Sequence, residues 1–277
     1  MKNVVVRKAG GALGAFIEGV DLSALSTSAD AIGQLRQWVI EHQVVFLRDQ
    51  SLSAAQFQQV AEQFGNTMDH PAYGAPQGAP AVQVLQSTAE APSKIEMWHS
   101  DMTFSQRPPS FTLLHAQIVP AYGGDTLWSS AVAAYDHLSA PLKACLEPLL
   151  AEHDFSYGFK ESLAEPGGAE RLADMVAAHP PICHPLIRTH PETQRKGIYV
   201  NPLFTTRIEG LSKLESSALL GFLYEHMRTP EFTVRLAWQP GTLAIWDNRS
   251  TQHKPVNDYF PQHRLMHRVT IAGDKPV

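Results

Sequence analysis

A histidine and an aspartate two positions apart, His99 and Asp101, are the residues of this sequence best placed to do chemistry together. On an extended strand, side chains at i and i+2 lie on one face, so the two can hold one metal ion. An imidazole and a carboxylate suit Fe(II) with open coordination positions, provided that a second histidine comes from elsewhere. With 13 histidines in 277 residues, random placement gives about half an H-x-D pair. The pair alone is therefore weak evidence, and a surface histidine beside an aspartate is the simpler interpretation.

Three residues near the end of the sequence strengthen the case for a metal site. His253 closes the motif WDNRSTQH, and Arg264 and Arg268 follow in HRLMHRV. On a strand, Arg264, Met266 and Arg268 share one face, which by default is a solvated outer face. With His253 close by, the two arginines are instead candidates to bind a carboxylate and a second anion, since guanidinium matches planar oxyanions.

A second candidate pair, His190 and Glu192, has spacing that also suits a metal. Pro191 lies between them and interrupts a strand ladder, and the segment HPETQRKG is typical of a turn. We therefore set this pair aside as a metal site.

Composition excludes several classes of protein. Hydrophobic residues make up 44% of the chain and charged residues 18%, which is ordinary for a globular protein. The net charge of −5 shows no basic excess of the kind that nucleic-acid binders carry. The two cysteines, Cys145 and Cys183, are far apart, which excludes a disulfide framework and a Cys-rich zinc site. Arg7 and Lys8 interrupt the first apolar stretch, and no run of apolar residues is long enough for a membrane span, so we predict a cytoplasmic protein without membrane partners.

The pattern of elements predicts one domain over residues 1–277, mainly β with helical cover. Ser53 and Gly65 bound one predicted helix, and Ser212 and Glu215 form a capping box at the start of another. Loops are predicted at 71–80 and 156–168, where proline and glycine concentrate. Helices are predicted at 29–42, 53–64, 129–138, 140–150, 169–178 and 212–227, and strands at 43–48, 111–118, 197–201, 232–238, 243–248 and 264–271. Because strands dominate the end of the chain, we predict an antiparallel sandwich or jelly roll.

Several motifs in matching order resemble the taurine dioxygenase (TauD/TfdA) family of Fe(II)/2-oxoglutarate-dependent dioxygenases. They are WHSDMTF, GGDTLW (123–128), HPLIRTHPET (184–193), FTTRI (204–208), and WDNRSTQH with HRLMHRVTIAGDKP. The N-terminal GVDLS (19–23) and HQVVFLRDQ (42–50) fit the same family, so the resemblance covers nearly the whole chain.

The resemblance implies a fold and a reaction. The fold is a double-stranded β-helix, or jelly roll, that holds Fe(II) at one mouth. The cofactors are Fe(II), 2-oxoglutarate as cosubstrate and O2, and 2-oxoglutarate decarboxylation to succinate and CO2 is coupled to substrate oxidation. His99, Asp101 and His253 match the iron ligands. Arg264 matches the arginine that pairs with the distal carboxylate of 2-oxoglutarate, and Thr126 matches a hydroxyl that assists there.

The resemblance also implies a substrate pocket. Arg268 and His70 match residues at a substrate sulfonate, Tyr73 matches a further substrate contact, and Phe159 and Phe204 match apolar walls. From the sequence alone, each has a simpler interpretation: a loop histidine is usually solvated, and aromatic residues usually pack in the core or against loops.

Three positions depart from the taurine pattern: Lys94, Ile95 and Gly158 stand where polar residues are expected. The anion end of the pocket is kept and the ammonium end is lost. If Lys94 pointed inward, its charge would repel a substrate ammonium. We therefore expect a small organic anion that is not necessarily taurine.

Several substrates and outcomes stay open at this point. An organosulfonate, hydroxylated with release of sulfite, is the first expectation. An alkyl sulfate ester, an aryloxy or carboxylic acid, or an amino-acid-like biosynthetic substrate are alternatives with the same cofactors. A non-catalytic jelly-roll metal binder is a remote alternative. Relatives form homo-oligomers, so a dimer or tetramer is expected from the resemblance.

Overall fold

A computed structural model of the chain describes residues 4–25, 29–68 and 74–277, and its framework is a set of mostly antiparallel strands. The strands are β1 Val5–Lys8, β2 Ala15–Glu18, β3 Val44–Leu47, β4 Thr67–Met68, β5 Gln83–Ser87, β6 Phe111–Ile118, β7 Thr126–Ser130, β8 Leu150–His153, β9 Ile182–Pro185, β10 Ile187–Thr189, β11 Lys196–Ile198, β12 Thr205–Ile208, β13 Thr233–Leu236, β14 Leu243–Asp247, β15 Thr251–Pro255 and β16 Arg264–Ile271. The helices are α1 Leu22–Leu25, α2 Ala29–His42, α3 Ala54–Glu62, α4 Ala131–Asp136, α5 Ala140–Leu146, α6 Phe155–Gly158, α7 Lys160–Ala164, α8 Gly168–Arg171, α9 Ala173–Ala178 and α10 Lys213–Met227.

Two sheets face each other and enclose the core of the sandwich. The major sheet runs β1-β2-β3-β14-β6-β16-β4, with β5 also paired to β16, and the opposite sheet runs β13-β7-β15. Alternate residues of each strand point between the sheets. Trp128 of β7 is fully buried there against Phe46 of β3 and Trp246 of β14, with ring centroids 5.3 and 5.7 Å apart. This arrangement confirms the predicted jelly roll.

Helices cover the outer face of the major sheet. Phe57 and Val60 of α3 and Leu35 and Val39 of α2 are buried in a core with Phe111 of β6. The capping box predicted at Ser212 starts α10, and Ser53 forms a second capping box at α3 with Gln56. These contacts satisfy N–H groups that a helix start otherwise leaves without partners.

A smaller layer flanks the opposite sheet. It contains the strand pair β10-β11 and the sheet β12-β8-β9, with α4 and α10 packed in the same apolar cluster. Within the described residues, no helix is long and apolar enough to cross a membrane.

The structure corrects several of the predicted elements, and three of the corrections concern the segment from 140 to 178. The loop predicted at 156–168 is wrong, because α6 and α7 occupy most of it and Phe155 and Phe159 pack into an apolar cluster. The helix predicted at 140–150 ends at Leu146, and Leu150 begins β8. The helix predicted at 169–178 is divided between α8 and α9.

Candidate active site

The two histidines of the predicted metal site face each other across a single antiparallel bridge. His99 N donates to His253 O at 2.9 Å, and His253 N donates to His99 O at 2.7 Å. The rings are 4.2 Å apart between centroids, and both residues are buried. The histidine of the H-x-D pair is thus joined by backbone hydrogen bonds to the last residue of the motif WDNRSTQH.

The spacing of Asp101 from His99 had suggested that both lie on one strand. In the structure a turn, and not a strand, brings Asp101 to the two histidines. The chain turns directly after the bridge, and Met102 takes a positive φ of 47°. Asp101 Oδ1 then lies 3.9 Å from Nε2 of His99 and 3.9 Å from Nε2 of His253. Each of the three residues presents a donor atom, and the three atoms lie within 4.8 Å of one another.

The protonation states of the three side chains suit metal ligands. Burial lowers the pKa of His99, and it lowers the pKa of His253 to about 3, so both rings are neutral near pH 7. Burial acts to raise the pKa of Asp101, but the electrostatic interactions with His253, Arg268 and His99 and the hydrogen bond from Thr112 outweigh it, and the net shift is downward. The site therefore offers two neutral imidazoles and one carboxylate.

Neighbouring groups orient the ligands. His99 Nδ1 is 2.8 Å from the carbonyl of Met97, so with the proton on Nδ1 the Nε2 lone pair is free for a metal. His253 is held by packing on Trp246, with ring centroids 4.8 Å apart. Thr112 donates to Asp101 Oδ2 at 2.6 Å, and nothing in its sequence context marked this residue.

A partly buried arginine whose Nε is fully buried lies near the opposite sheet. Arg264 begins β16, and its Nε has no hydrogen-bond partner among the described residues. Burial lowers the pKa of Arg264, as expected for a cation taken out of water, and no carboxylate of the described residues forms an ion pair with it. A carboxylate of a ligand would supply the missing charge.

Trp238 connects this arginine to Thr126. The Arg264 guanidinium lies 5.9 Å from the Trp238 ring, and Trp238 Nε1 donates to Thr126 Oγ1 at 3.0 Å. Because the threonine oxygen accepts from the indole, its own hydrogen is left to donate to a bound anion. Sequence reasoning singled out Thr126 and Arg264 but missed Trp238.

Arg268 lies between the candidate metal ligands and β5. Its Nε donates to Gln83 Oε1 at 2.8 Å, and its Nη1 is 4.0 Å from Asp101 Oδ1. Its side chain is 14% exposed, so a cation lies almost buried beside the three candidate ligands. Arg264, Met266 and Arg268 share the inward face of β16, where Met266 packs in the core between the sheets.

An apolar cluster borders the His99 side of the site. The Phe204 ring is 6.4 Å from the His99 ring, and Phe159 is 6.1 Å from Phe204. Ile95 packs against the same cluster. Gly158 permits this arrangement, because a Cβ there would collide with the Phe204 ring. His70 and Tyr73 lie outside the described residues.

Lys94 does not point into this region. Its ammonium pairs with Glu165, which also accepts from Arg171 at 3.3 Å, and the Lys94 side chain is 53% exposed. Repulsion of a substrate ammonium by Lys94 required its side chain to point into the pocket, and the side chain does not. Ile95, which also differs from the taurine dioxygenase pattern, packs against the apolar cluster that borders the site.

His190 and Glu192, the second candidate metal-binding pair, form hydrogen bonds and ion pairs within the protein. His190 is buried and its Nε2 is 2.9 Å from Asp247 Oδ2. Glu192 is turned away and accepts from Arg36 and Arg249, each at 2.8 Å. Both side chains therefore have partners within the protein.

The donor set fits an Fe(II) ion with a cosubstrate carboxylate beside it. Two neutral imidazoles and one carboxylate form the ligand set of non-haem Fe(II) oxygenases with open positions. The unpaired buried Nε of Arg264 and the free hydroxyl hydrogen of Thr126 fit a carboxylate.

Comparison with known proteins gives a consistent result. The pattern of the family described as "Taurine catabolism dioxygenase TauD, TfdA family" matches residues 6–270. The chain is 37% identical to an alkylsulfatase from Acinetobacter baylyi, over 97% of this chain and 85% of that protein. It is 33% identical to an alpha-ketoglutarate-dependent sulfate ester dioxygenase from Pseudomonas putida, over 98% of this chain and 90% of that one. A crystal structure of a putative alpha-ketoglutarate-dependent taurine dioxygenase from Burkholderia xenovorans superposes with a TM-score of 0.84 at 37% identity, covering 99% of this chain and 91% of that chain.

Proposed function

Because the chain belongs to the TauD/TfdA family of dioxygenases, we propose that His99, Asp101 and His253 bind its catalytic iron. The protein is an Fe(II)- and 2-oxoglutarate-dependent dioxygenase. The observation that supports the ligand assignment is the meeting of one carboxylate oxygen and two imidazole nitrogens within 4.8 Å, all on buried residues.

The remaining polar residues divide between cosubstrate and substrate. When bound, Fe(II) supplies the activation of O2 that couples oxidative decarboxylation of 2-oxoglutarate to oxidation of a substrate C–H bond. Arg264 and the Thr126 hydroxyl bind the distal carboxylate of 2-oxoglutarate, where a charge-assisted hydrogen bond forms in a region with little water. Three protein ligands leave the other iron positions for the cosubstrate and O2.

The substrate is an organic sulfonate or sulfate ester with an apolar body. Arg268 binds the anionic group beside the metal ligands, and its near-complete burial strengthens that attraction. Phe204, Phe159 and Ile95 border the site with apolar surface, which suits a hydrocarbon chain better than an ammonium. The apolar border, and the alkylsulfatase and sulfate ester dioxygenase among the relatives, favour the sulfate ester over taurine.

The products follow from the position of oxidation. Hydroxylation of the carbon that bears the sulfur group gives an unstable adduct that breaks its C–O or C–S bond. A sulfate ester then releases sulfate, a sulfonate releases sulfite, and each leaves an aldehyde. His70 and Tyr73 remain proposed substrate contacts on the strength of the family resemblance.

A substrate panel tests this proposal. Succinate release is measured with Fe(II), 2-oxoglutarate and O2 across alkyl sulfates of increasing chain length, alkyl sulfonates, taurine, aryloxy acids and amino acids. We expect sulfate or sulfite to appear in step with succinate for alkyl substrates, and poor turnover of taurine. Efficient turnover of taurine above all the others would contradict the apolar preference. Strong turnover of an amino acid without release of a sulfur anion would favour a biosynthetic oxygenase.

We also propose a cytoplasmic homo-oligomer without nucleic-acid partners. The two unpaired cysteines suit a reducing compartment, and the net charge of −5 gives no attraction to phosphate backbones. Light scattering on the purified protein measures the oligomeric state, and a monomer at micromolar concentration would contradict it.

A further inference from the structure

Behind Asp101 lies a row of three buried polar side chains, those of Thr112, Asn248 and Trp246. Thr112 Oγ1 donates to Asp101 Oδ2 at 2.6 Å, and Asn248 Nδ2 donates to Thr112 Oγ1 at 2.8 Å. Trp246 Nε1 donates to Asn248 Oδ1 at 3.0 Å. All three residues are at most 1% exposed, so water does not compete for these bonds.

The chemistry of the tryptophan at the far end sets the direction of the row. An indole N–H can only donate, so Asn248 must turn its oxygen toward Trp246 and its amide nitrogen toward Thr112. Asp101 N also approaches the same oxygen, at 3.4 Å, which favours the same amide orientation. The Thr112 oxygen then accepts from Asn248, and its single hydrogen is left to donate to Asp101.

This direction matters for the two oxygens of Asp101. Oδ2 is occupied by the Thr112 hydroxyl, whereas Oδ1 faces Nε2 of His99 and Nε2 of His253, each 3.9 Å away. A carboxylate without such a restraint can rotate and offer both oxygens to a cation. A second oxygen on the metal would take a position that the cosubstrate or O2 needs.

We propose that Thr112, oriented by Asn248 and Trp246, is a positioning residue that keeps Asp101 a ligand through one oxygen only. The proposal rests on the proposed function and deepens it, because it concerns how the metal ligands are held. Groups that hydrogen-bond a metal ligand typically change metal affinity by about 10–100-fold when they are removed.

Cobalt binding to the metal-free protein tests the proposal without turnover. Co(II) is titrated without 2-oxoglutarate, and affinity is measured by calorimetry together with the visible absorption of the bound ion. Thr112→Val keeps the shape of the side chain and removes the hydroxyl, and we expect it to weaken Co(II) binding about 10–100-fold and to alter the absorption bands. Thr112→Ser restores the hydroxyl, and we expect affinity and bands close to those of the wild type.

A matched control is available on the paired strand. Thr270 of β16 lies directly opposite Thr112 in the sheet and is also buried. We expect Thr270→Val to bind Co(II) like the wild type. If Thr112→Val binds Co(II) with wild-type affinity and bands, the proposal is overturned while the metal site stands. If the wild type binds no Co(II), the ligand assignment itself fails.

A second variant covers the case in which Thr112→Val does not fold. Trp246→Phe removes the indole N–H and retains an aromatic ring to pack on His253, so it removes the hydrogen bond to Asn248 without changing Thr112. We expect a smaller loss of Co(II) affinity in the same direction, with thermal melting used to establish that the variant is folded. If folded Trp246→Phe binds Co(II) with wild-type affinity and absorption bands, Trp246 and Asn248 do not orient Thr112, and that part of the proposal is overturned.

Discussion

Two buried aspartates, Asp101 and Asp247, each face histidine, yet their surroundings differ. Asp247 is fully buried, and its carboxylate accepts from His190 at 2.9 Å and from Arg249 at 2.8 and 2.7 Å. At Asp101, the imidazole and guanidinium nitrogens that face Oδ1 lie 3.9 to 4.0 Å away, too far for hydrogen bonds.

The difference separates a structural ion pair from the proposed metal site. Burial acts to raise the pKa of Asp247, but the adjoining charge and hydrogen bonds of Arg249 and the bond from His190 outweigh it and hold that pKa well below its usual range. Burial similarly acts to lower the pKa of Arg249, and the Asp247 charge reverses that effect. The charges of Asp247 and Arg249 therefore compensate each other within the protein. Around Asp101 Oδ1, by contrast, the nearest nitrogens of His99, His253 and Arg268 lie 3.9 to 4.0 Å away, a spacing that fits the proposed metal ion.

The largest expected effect is at Asp101. Asp101→Ala or His99→Ala should abolish succinate production, because the iron loses a ligand, while the fold is retained. Succinate assays and thermal melting measure the two properties. Full activity in either variant would remove that residue from the ligand set.

Arg249→Met should reduce stability and leave metal binding intact. It leaves the Asp247 carboxylate buried without its cation, so we expect the free energy of unfolding to fall by about 3–5 kcal/mol. Urea denaturation measures this change. Co(II) binding by the folded fraction should persist. Loss of metal binding with unchanged stability would place Asp247 in the metal site and reverse the comparison.

Arg264→Ala should chiefly affect the cosubstrate. Loss of charge-assisted hydrogen bonds of about 2–3 kcal/mol corresponds to a KM for 2-oxoglutarate raised by about 30–150-fold. Since no carboxylate of the described residues forms an ion pair with Arg264, the ligand-free variant should be no less stable than the wild type. Initial rates against 2-oxoglutarate concentration and a melt of the free protein test both parts. An unchanged KM would contradict the assigned role.

His153 gives a smaller effect, through pH. Burial lowers its pKa to about 3, with the neighbouring His184 acting in the same direction. In the unfolded chain a histidine titrates near pH ~6.5, so below that pH the unfolded state binds a proton that the folded state does not. The contribution to stability is therefore complete above pH ~6.5 and falls toward pH 3, by up to about 1.4 kcal/mol per pH unit.

His153→Gln should remove this dependence. We expect its unfolding free energy to vary less than that of the wild type between pH 7 and 5, as measured by urea denaturation at each pH. Parallel curves for the two proteins would show that His153 takes up a proton in the folded state.

The sequence predicted those parts whose signal is local. Helix α2 has its predicted bounds, and α10 starts at its capping box, because periodicity and capping are properties of neighbouring residues. β10 and β11 have only three residues each, and the strand predicted at 197–201 overlaps β11 only at 197–198, because such short strands carry little alternation. Their pairing is decided by tertiary packing.

The sequence pointed to the proposed metal ligands but not to the residues that support them. His99, Asp101 and His253 stand in motifs, whereas Thr112 lies in the apolar strand β6, where a threonine is an ordinary strand former. Trp238 likewise resembles any core tryptophan in an alternating strand. The direction of the Lys94 side chain depends on Glu165, 71 residues away, and no local pattern shows that contact.

Anaerobic equilibrium dialysis against Fe(II), with metal analysis of the wild type, Asp101→Ala and Asp247→Asn, tests the central claim most directly. We predict a single ferrous ion per chain in the wild type and in folded Asp247→Asn, and none in Asp101→Ala. A wild type without iron, or an Asp101→Ala variant that binds iron as tightly as the wild type, would contradict it.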